Sequence, residues 1–270
     1  MSTTGHLSCA LSLAILIMIL TWVISIRTDK PSWVDAVWAY AIGALSLFLF
    51  GLNWADGPSW LPLLIVVGWS LRLGTHLSVR IASSHEDGRY TTLKKDWGGV
   101  KSPMMFGFFM IQAAAAFIFA LPAYFAMKHT PAEWGILHLL AILWAIMALG
   151  GETLADAQLK RFAKVPENKG QVCKKGLWRY SRHPNYFFEW LFWFSFPILT
   201  WGTPGFIPTL VIPFIMLFLV TRMTGIPPTE AQALLKRGDR YRDYQKETSA
   251  FFPWFPRKLP ENTDAPTPQQ

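Results

Sequence analysis

The chain has 270 residues, 52% of them hydrophobic and 15% aromatic against only 16% charged, a balance too apolar for an ordinary soluble domain. A net charge of +8 would serve nucleic-acid binding on a soluble surface, but here Lys and Arg sit in short stretches between apolar runs, which excludes that class. Cys9 lies in an apolar run and Cys173 in a basic connection, so no disulfide framework is expected.

Windows apolar enough to cross roughly 30 Å of hydrocarbon, at about 1.5 Å per helical residue, fall at 7–26, 34–52, 59–80, 104–127, 133–159, 185–203 and 206–224. The expected fold is all-α: a single polytopic domain over 1–259 with seven transmembrane helices. The first window lacks the basic flank and small-residue cleavage site of a secretory signal and reads as a retained span. The third and fifth exceed the length a span needs, so their polar ends, 72–80 and 152–160, are expected to project as helix. Pro227 and Pro228 open a polar stretch, 231–247, read as an amphipathic cytoplasmic helix that packs through Leu234, Leu235, Tyr241 and Tyr244. The aromatic run 251–256 reads as an interfacial anchor, and the Pro-rich polar tail 260–270 as disordered.

Of the 25 Lys and Arg residues, all except Arg72 and Lys128 fall in 27–33, 80–103, 160–183 and 222–270. The positive-inside rule then puts those connections and the C-terminus in the cytoplasm and the N-terminus outside.

Three polar groups stand out against this apolar background. The densest runs from Gly176 through Trp178, Arg179, Tyr180, Ser181, Arg182, His183, Pro184, Asn185 and Tyr186 to Glu189, at the mouth of the sixth window. It offers donors to phosphates, aromatic faces to rings and a helix N-terminus to anions; snorkelling Arg residues and a helix cap are the structural alternative. On the fifth window Glu152, Asp156 and Lys160 repeat at i, i+4 and i+8 and lead to Arg161 and Lys164. This stripe is either an ion-pair ladder or a set of carboxylates for a ribose or adenine beside lysines for a phosphate. The third window carries Trp69, Arg72 and His76, with Arg80 and Arg89 beyond. An Arg inside an apolar segment must face the bundle or a ligand, so Arg72 has either a diphosphate, shared with Arg89, or an ion pair with Asp35. Asp35 itself, at the start of the second window with Trp38 one turn on, is either a helix N-terminal acid or a buried functional group. No metal-ligand spacing, Walker loop or GxGxxG occurs, so any dinucleotide would bind between helices.

From about 150 to 257 the chain resembles the C-terminal domain of the steroid 5-alpha-reductase family, in its bacterial branch. The resembling pieces are Glu152-Thr153-Leu154-Ala155-Asp156, the loop from Gly176 to Tyr186 with Glu189, Gly225-Ile226-Pro227, and Tyr241 and Tyr244 followed by Thr248-Ser249-Ala250-Phe251-Phe252-Pro253-Trp254. Arg-His-Pro-x-Tyr is shared with isoprenylcysteine carboxyl methyltransferases. Toward the N-terminus Asp35 stands where the family's reductases carry a substrate-facing Glu, and Arg72 follows at the spacing of a diphosphate-binding Arg. Trp69 occupies the place of a Tyr that acts with that Glu in the animal enzymes, and Glu152 replaces an Asn.

The resemblance implies an NADPH-dependent reductase of the C=C bond conjugated to a ketone, in a lipophilic 3-oxo-Δ4-steroid-like substrate that enters from the lipid. It implies a catalytic Asp35, kept protonated by burial so that it can donate to the developing enolate oxygen, in a substrate site shared with Trp38 and Trp69. The NADPH site would comprise Arg72, Arg89, Glu152, Asp156, Lys160, Lys164, Tyr180, Arg182, His183, Asn185, Tyr186, Glu189, Glu230, Arg237 and Tyr241, with no metal. The setting would be a bacterial inner membrane; oligomeric state is left open, with a monomer as the working form. The rival enzyme is an S-adenosylmethionine-dependent membrane methyltransferase whose Arg-His-Pro loop grips the donor's carboxylate. A third class, a transporter or lipid-binding scaffold, would place its polar groups at the bilayer midplane.

Overall fold

The computed structural model describes residues 2–83 and 87–257; the tail expected to be disordered, 260–270, lies outside them. Among the described residues the chain is helical throughout, without a strand. Five helices, α1 (Thr3–Thr28), α2 (Trp33–Leu52), α3 (Leu61–Ala82), α5 (Pro103–His129) and α6 (Ile136–Lys164), are long and apolar enough to cross a membrane. So is the helical stretch Phe206–Arg237. The protein is therefore a multi-pass membrane protein with six such stretches among the described residues, against the seven expected.

The missing span is the window 185–203, which breaks into α7 (Pro184–Phe192) and α8 (Ser195–Leu199). Pro197 brings no N–H to this stretch and cannot continue a helical ladder through the break. The carbonyls left exposed at the break find other donors: the Trp144 indole N–H bonds Leu191 O at 2.6 Å, and the Ser195 hydroxyl bonds Phe192 O at 2.7 Å. Composition identifies such a stretch as apolar; it does not reveal that its ladder is cut.

The chain packs as two compact units, Met1–Met147 with Leu191–Leu217, and Ala148–Trp190 with Phe218–Gln270. The sequence reading has one membrane domain over 1–259, with a part from about 150 to 257 set apart by resemblance; by packing, Leu191–Leu217 groups with Met1–Met147.

In the first unit α2 packs on α1, α3 and α5. Lipid supplies no hydrophobic drive between helices, so close approach through small residues matters more than apolarity. A Cβ on Gly43 would lie 2.4 Å from Ser70 Oγ, and one on Gly74 would lie 2.5 Å from the Tyr40 ring. The Ser70 hydroxyl then donates to Ala39 O at 2.8 Å, fixing α3 against α2. The short polar helix α4 (Gly88–Trp97) starts at Asp87, whose side chain caps the Arg89 N–H at 3.0 Å, and Lys94 ties it to Asp29 at 2.6 Å.

The helix α9 (Phe206–Phe218), part of the first unit as far as Leu217, runs on into the second unit's π-turn, Leu219–Met223, and then α10 (Ile226–Arg237) and α11 (Asp239–Glu247). The amphipathic helix expected over 231–247 is thus two helices. They part at Gly238, whose φ of 54° with ψ of −128° suits glycine alone. The break turns Tyr241 and Tyr244 into the unit's core, whereas Leu235 is 80% exposed rather than packed.

Candidate functional site

The first polar cluster is built where α4 meets the start of α2. Asp35 accepts from the Tyr90 hydroxyl at Oδ1 (2.6 Å) and from Arg89 Nη2 at Oδ2 (3.0 Å). Arg89 also donates to Asp87, through Nε at 3.3 Å and Nη2 at 3.1 Å, while Arg80 stands 3.9 Å from the same carboxylate. Burial opposes ionisation of Asp87, but the hydrogen bonds and charge of Arg89, with Arg80 behind it, hold the carboxyl below its ordinary value. Burial and the neighbouring Asp35 push the Tyr90 phenol well above its ordinary value, so it stays an O–H donor. Both oxygens of Asp35, expected to donate to a substrate, accept hydrogen bonds in this geometry. Arg89, expected on a diphosphate, is held by two carboxylates, and it is Arg89 rather than Arg72 that pairs with Asp35.

Next along the same face of α2 lies an aromatic core. Trp69 is wholly buried, stacked on Phe192 at 5.7 Å and 12°, with Trp193 edge-on at 4.9 Å. That makes Trp69 a packing residue in this arrangement. Trp38, half-buried, presents its ring edgewise to Trp69 (6.2 Å, 82°) and to Phe119 (5.5 Å, 69°). Its indole Nε1 is buried with no acceptor among the described residues. Arg72 is half-buried on α3.

The second cluster belongs to the second unit. The short 3-10 turn Gly176–Arg179 docks on α6 through two bonds, Trp178 Nε1 to Ala155 O at 2.9 Å and Leu177 N to Gln158 Oε1 at 2.9 Å. Gly176, at φ 60°, has no room for a Cβ, which would sit 2.5 Å from that Gln158 oxygen. Beyond the turn the chain pairs with the C-terminal strap: Arg182 N to Ser249 O (2.9 Å), Trp254 N to Tyr180 O (2.9 Å) and Ser181 Oγ to Phe251 O (2.8 Å).

Arg182 then gives Nε to Glu230 Oε1 at 2.6 Å, Nη2 to Oε2 at 3.3 Å, and Nη1 to the carbonyls of Gln245 and Thr248. Glu230 also receives Tyr241 Oη at 3.3 Å and Gln245 Nε2 at 2.7 Å, and faces His183 Nε2 at 3.1 Å. Tyr244 donates to Trp178 O and lies near Ser181 O. Burial, with Arg182 nearby, pushes the His183 imidazole below its ordinary value against the pull of Glu230, and its ring stacks on Tyr186 at 5.4 Å. Burial and Glu230 push the Tyr241 phenol up. Arg182, His183 and Tyr241, all expected to hold cofactor, thus converge on Glu230, expected there too.

The remaining candidates are more open. Asn185 Nδ2 donates to Asp156 Oδ1 at 3.2 Å, joining α7 to α6, and Glu152 and Glu189 are buried nearby on those two helices. Lys160 and Lys164 are exposed on the last turns of α6, and Tyr180 is exposed beside Phe255. Arg237 donates to Gln171 O at 2.9 Å. A recess of about 410 Å³ is lined by Phe162, Gln171, Val172, Lys174, Lys175, Arg240, Asp243 and Glu247.

A family described as a protein of unknown function, DUF1295, matches residues 21–248, most of the chain and both polar clusters. The chain belongs to that family. A fission yeast relative, the uncharacterized protein C594.04c of Schizosaccharomyces pombe (strain 972 / ATCC 24843), is 26% identical over 266 residues, covering 86% of this chain and 75% of its own length. No solved structure matches the chain. Within this DUF1295 protein, the residue that sequence reading missed is Tyr90. The signal was the Asp87-Gly88-Arg89-Tyr90 run, a capping acid opening a helix, but nothing in it tells which carboxylate the phenol will meet.

Proposed function

We propose that this DUF1295 protein is a membrane-embedded, NADPH-dependent reductase of the conjugated C=C bond of a lipophilic enone of the 3-oxo-Δ4-steroid type. The observation that carries the reading is the Asp156–Asn185 pair, joined at 3.2 Å, with exposed Lys160 and Lys164 along the same helix. A carboxylate and an amide suit ribose hydroxyls or a carboxamide, and lysines suit phosphates. Further basic groups, Lys174, Lys175 and Arg240, line the recess beside Phe162, so the donor set present fits a phosphorylated dinucleotide. NADPH, when bound, supplies the hydride that reduces the β-carbon. A proton from water would complete the α-carbon, so that the C=C bond would become a C–C single bond with two new C–H bonds at the expense of the nucleotide's hydride.

The chain's own contribution is to exclude water with its aromatic core and to offer a donor to the oxygen on which negative charge develops. Asp35, accepting from both Arg89 and Tyr90, acts as a positioning carboxylate in this scheme. Asp35→Asn is expected to retain nucleotide and lose most turnover. Unchanged turnover would remove Asp35 from the mechanism.

The methyltransferase reading needs Arg182 for the methyl donor's carboxylate. That guanidinium is already held by Glu230, Gln245 and Thr248, which weighs against it. We further propose that the Lys- and Arg-rich connections face the cytoplasm. The deciding experiment is to release and identify, by mass spectrometry, the nucleotide that co-purifies with the detergent-solubilised protein, then to follow NADPH oxidation over an enone panel. NADP(H) with enone-dependent oxidation supports the reductase; S-adenosylmethionine or its demethylated product would replace it with the rival.

A further inference from the structure

We propose that the indole N–H of Trp38 is the hydrogen-bond donor for the carbonyl oxygen of a flat, otherwise apolar ligand. Its Nε1 is buried and meets no acceptor among the described residues. A donor removed from water and left unpaired is unfavourable, and folded proteins rarely tolerate one. Three other indoles of this chain are paired with backbone carbonyls: Trp22 with Val100 O at 2.9 Å, Trp144 with Leu191 O at 2.6 Å and Trp178 with Ala155 O at 2.9 Å. Trp38 differs from these three, and it lies one helical turn from Asp35.

The neighbours decide the ligand's chemistry. Trp69 and Phe119 meet the Trp38 ring edgewise, which favours a planar hydrocarbon surface and gives a water molecule few of the polar partners it needs. The adjacent polar groups are already engaged with one another. Tyr90 gives its hydrogen to Asp35, and Arg89 Nε and Nη2 are held by Asp35 and Asp87, whereas the indole hydrogen of Trp38 has no acceptor among the described residues. A neutral N–H strengthens its bond as charge grows on the oxygen and transfers no proton itself. The inference rests on the reductase reading for the ketone's being an enone, but not for the donor.

The test uses the full chain in lipid nanodiscs without added nucleotide, titrated with a 3-oxo-Δ4-steroid and with its 3-deoxy counterpart. Wild type is expected to bind the ketone about tenfold more tightly, the worth of one neutral hydrogen bond. Trp38→Phe is expected to bind both alike, Trp38→His to recover part of the preference through its ring N–H, and Trp144→Phe, whose indole is engaged by Leu191, to keep it. Absence of a ketone preference in wild type, or its survival in Trp38→Phe, overturns the proposal. NADPH oxidation is scored separately. A Trp38-dependent preference without turnover would remove the reductase and leave the donor; turnover with an unaltered preference in Trp38→Phe would do the reverse.

Discussion

The two polar clusters are made of the same parts, an Arg, a carboxylate and a Tyr, yet they differ in saturation. Around Glu230 the donors of Arg182, Tyr241 and Gln245 converge on one carboxylate, and Arg182 and Glu230 keep only 10% and 13% of their side-chain surface. Around Asp35 the Arg89 and Asp35 side chains are 25% and 23% exposed, and the buried indole N–H of Trp38, one turn on, meets no acceptor among the described residues. A closed set holds a fold together; an open set beside an unpaired donor leaves something for a ligand to complete. Residue type alone does not distinguish the two.

Breaking the closed cluster is expected to have the largest effect. Arg182→Ala strands Glu230 and frees the strap at Gln245 and Thr248, and loss of one partner of a buried pair costs about 3–5 kcal/mol. Thermal unfolding of the solubilised protein would measure it, and a loss under about 1 kcal/mol would mean the clamp is not structural. Gly74→Ala, which drives a methyl into the Tyr40 ring, is expected to destabilise the first unit by about 1–3 kcal/mol in the same assay, without touching either cluster. In the open cluster, Tyr90→Phe removes one donor from Asp35 and is expected to lower stability by about 1 kcal/mol. Under the reductase reading it also reduces turnover, so full activity would detach Tyr90 from the site.

Two smaller effects sharpen the contrast. The folded His183 has a lower proton affinity than the unfolded chain, so the folded state binds fewer protons. Its contribution is complete above the ordinary imidazole value of about 6.5 and is lost as pH falls below it. His183→Phe should flatten that part of the stability–pH curve. Lys174→Ala breaks a partly exposed pair with Glu247 and is expected to change stability by less than about 1 kcal/mol, more at low salt than at high.

Sequence alone determined the membrane character and most of the helices, because an apolar run of span length has few other fates in a bilayer. The windows 7–26, 34–52, 59–80, 104–127 and 133–159 each correspond to one long helix, and the polar end of the fifth continues as helix to Lys164, as its i, i+4 stripe implies. It also marked Asp35, Asp156, Asn185 and Arg182 as polar groups needing a partner or a function, and the family resemblance added Trp38 as a substrate-site residue. Tertiary structure alone decided which partner each one has. The break at 193–194 depends on donors supplied from Trp144 and Ser195, and the turn at Gly238 depends on a backbone conformation; neither leaves a mark on hydropathy. Arg182 meets Glu230 across 48 residues, Tyr90 meets Asp35 across 55, and the Trp38 indole N–H meets no acceptor among the described residues. Periodicity places residues on a face, but hydrogen-bond saturation is a property of several segments at once, and it appears only when they are packed.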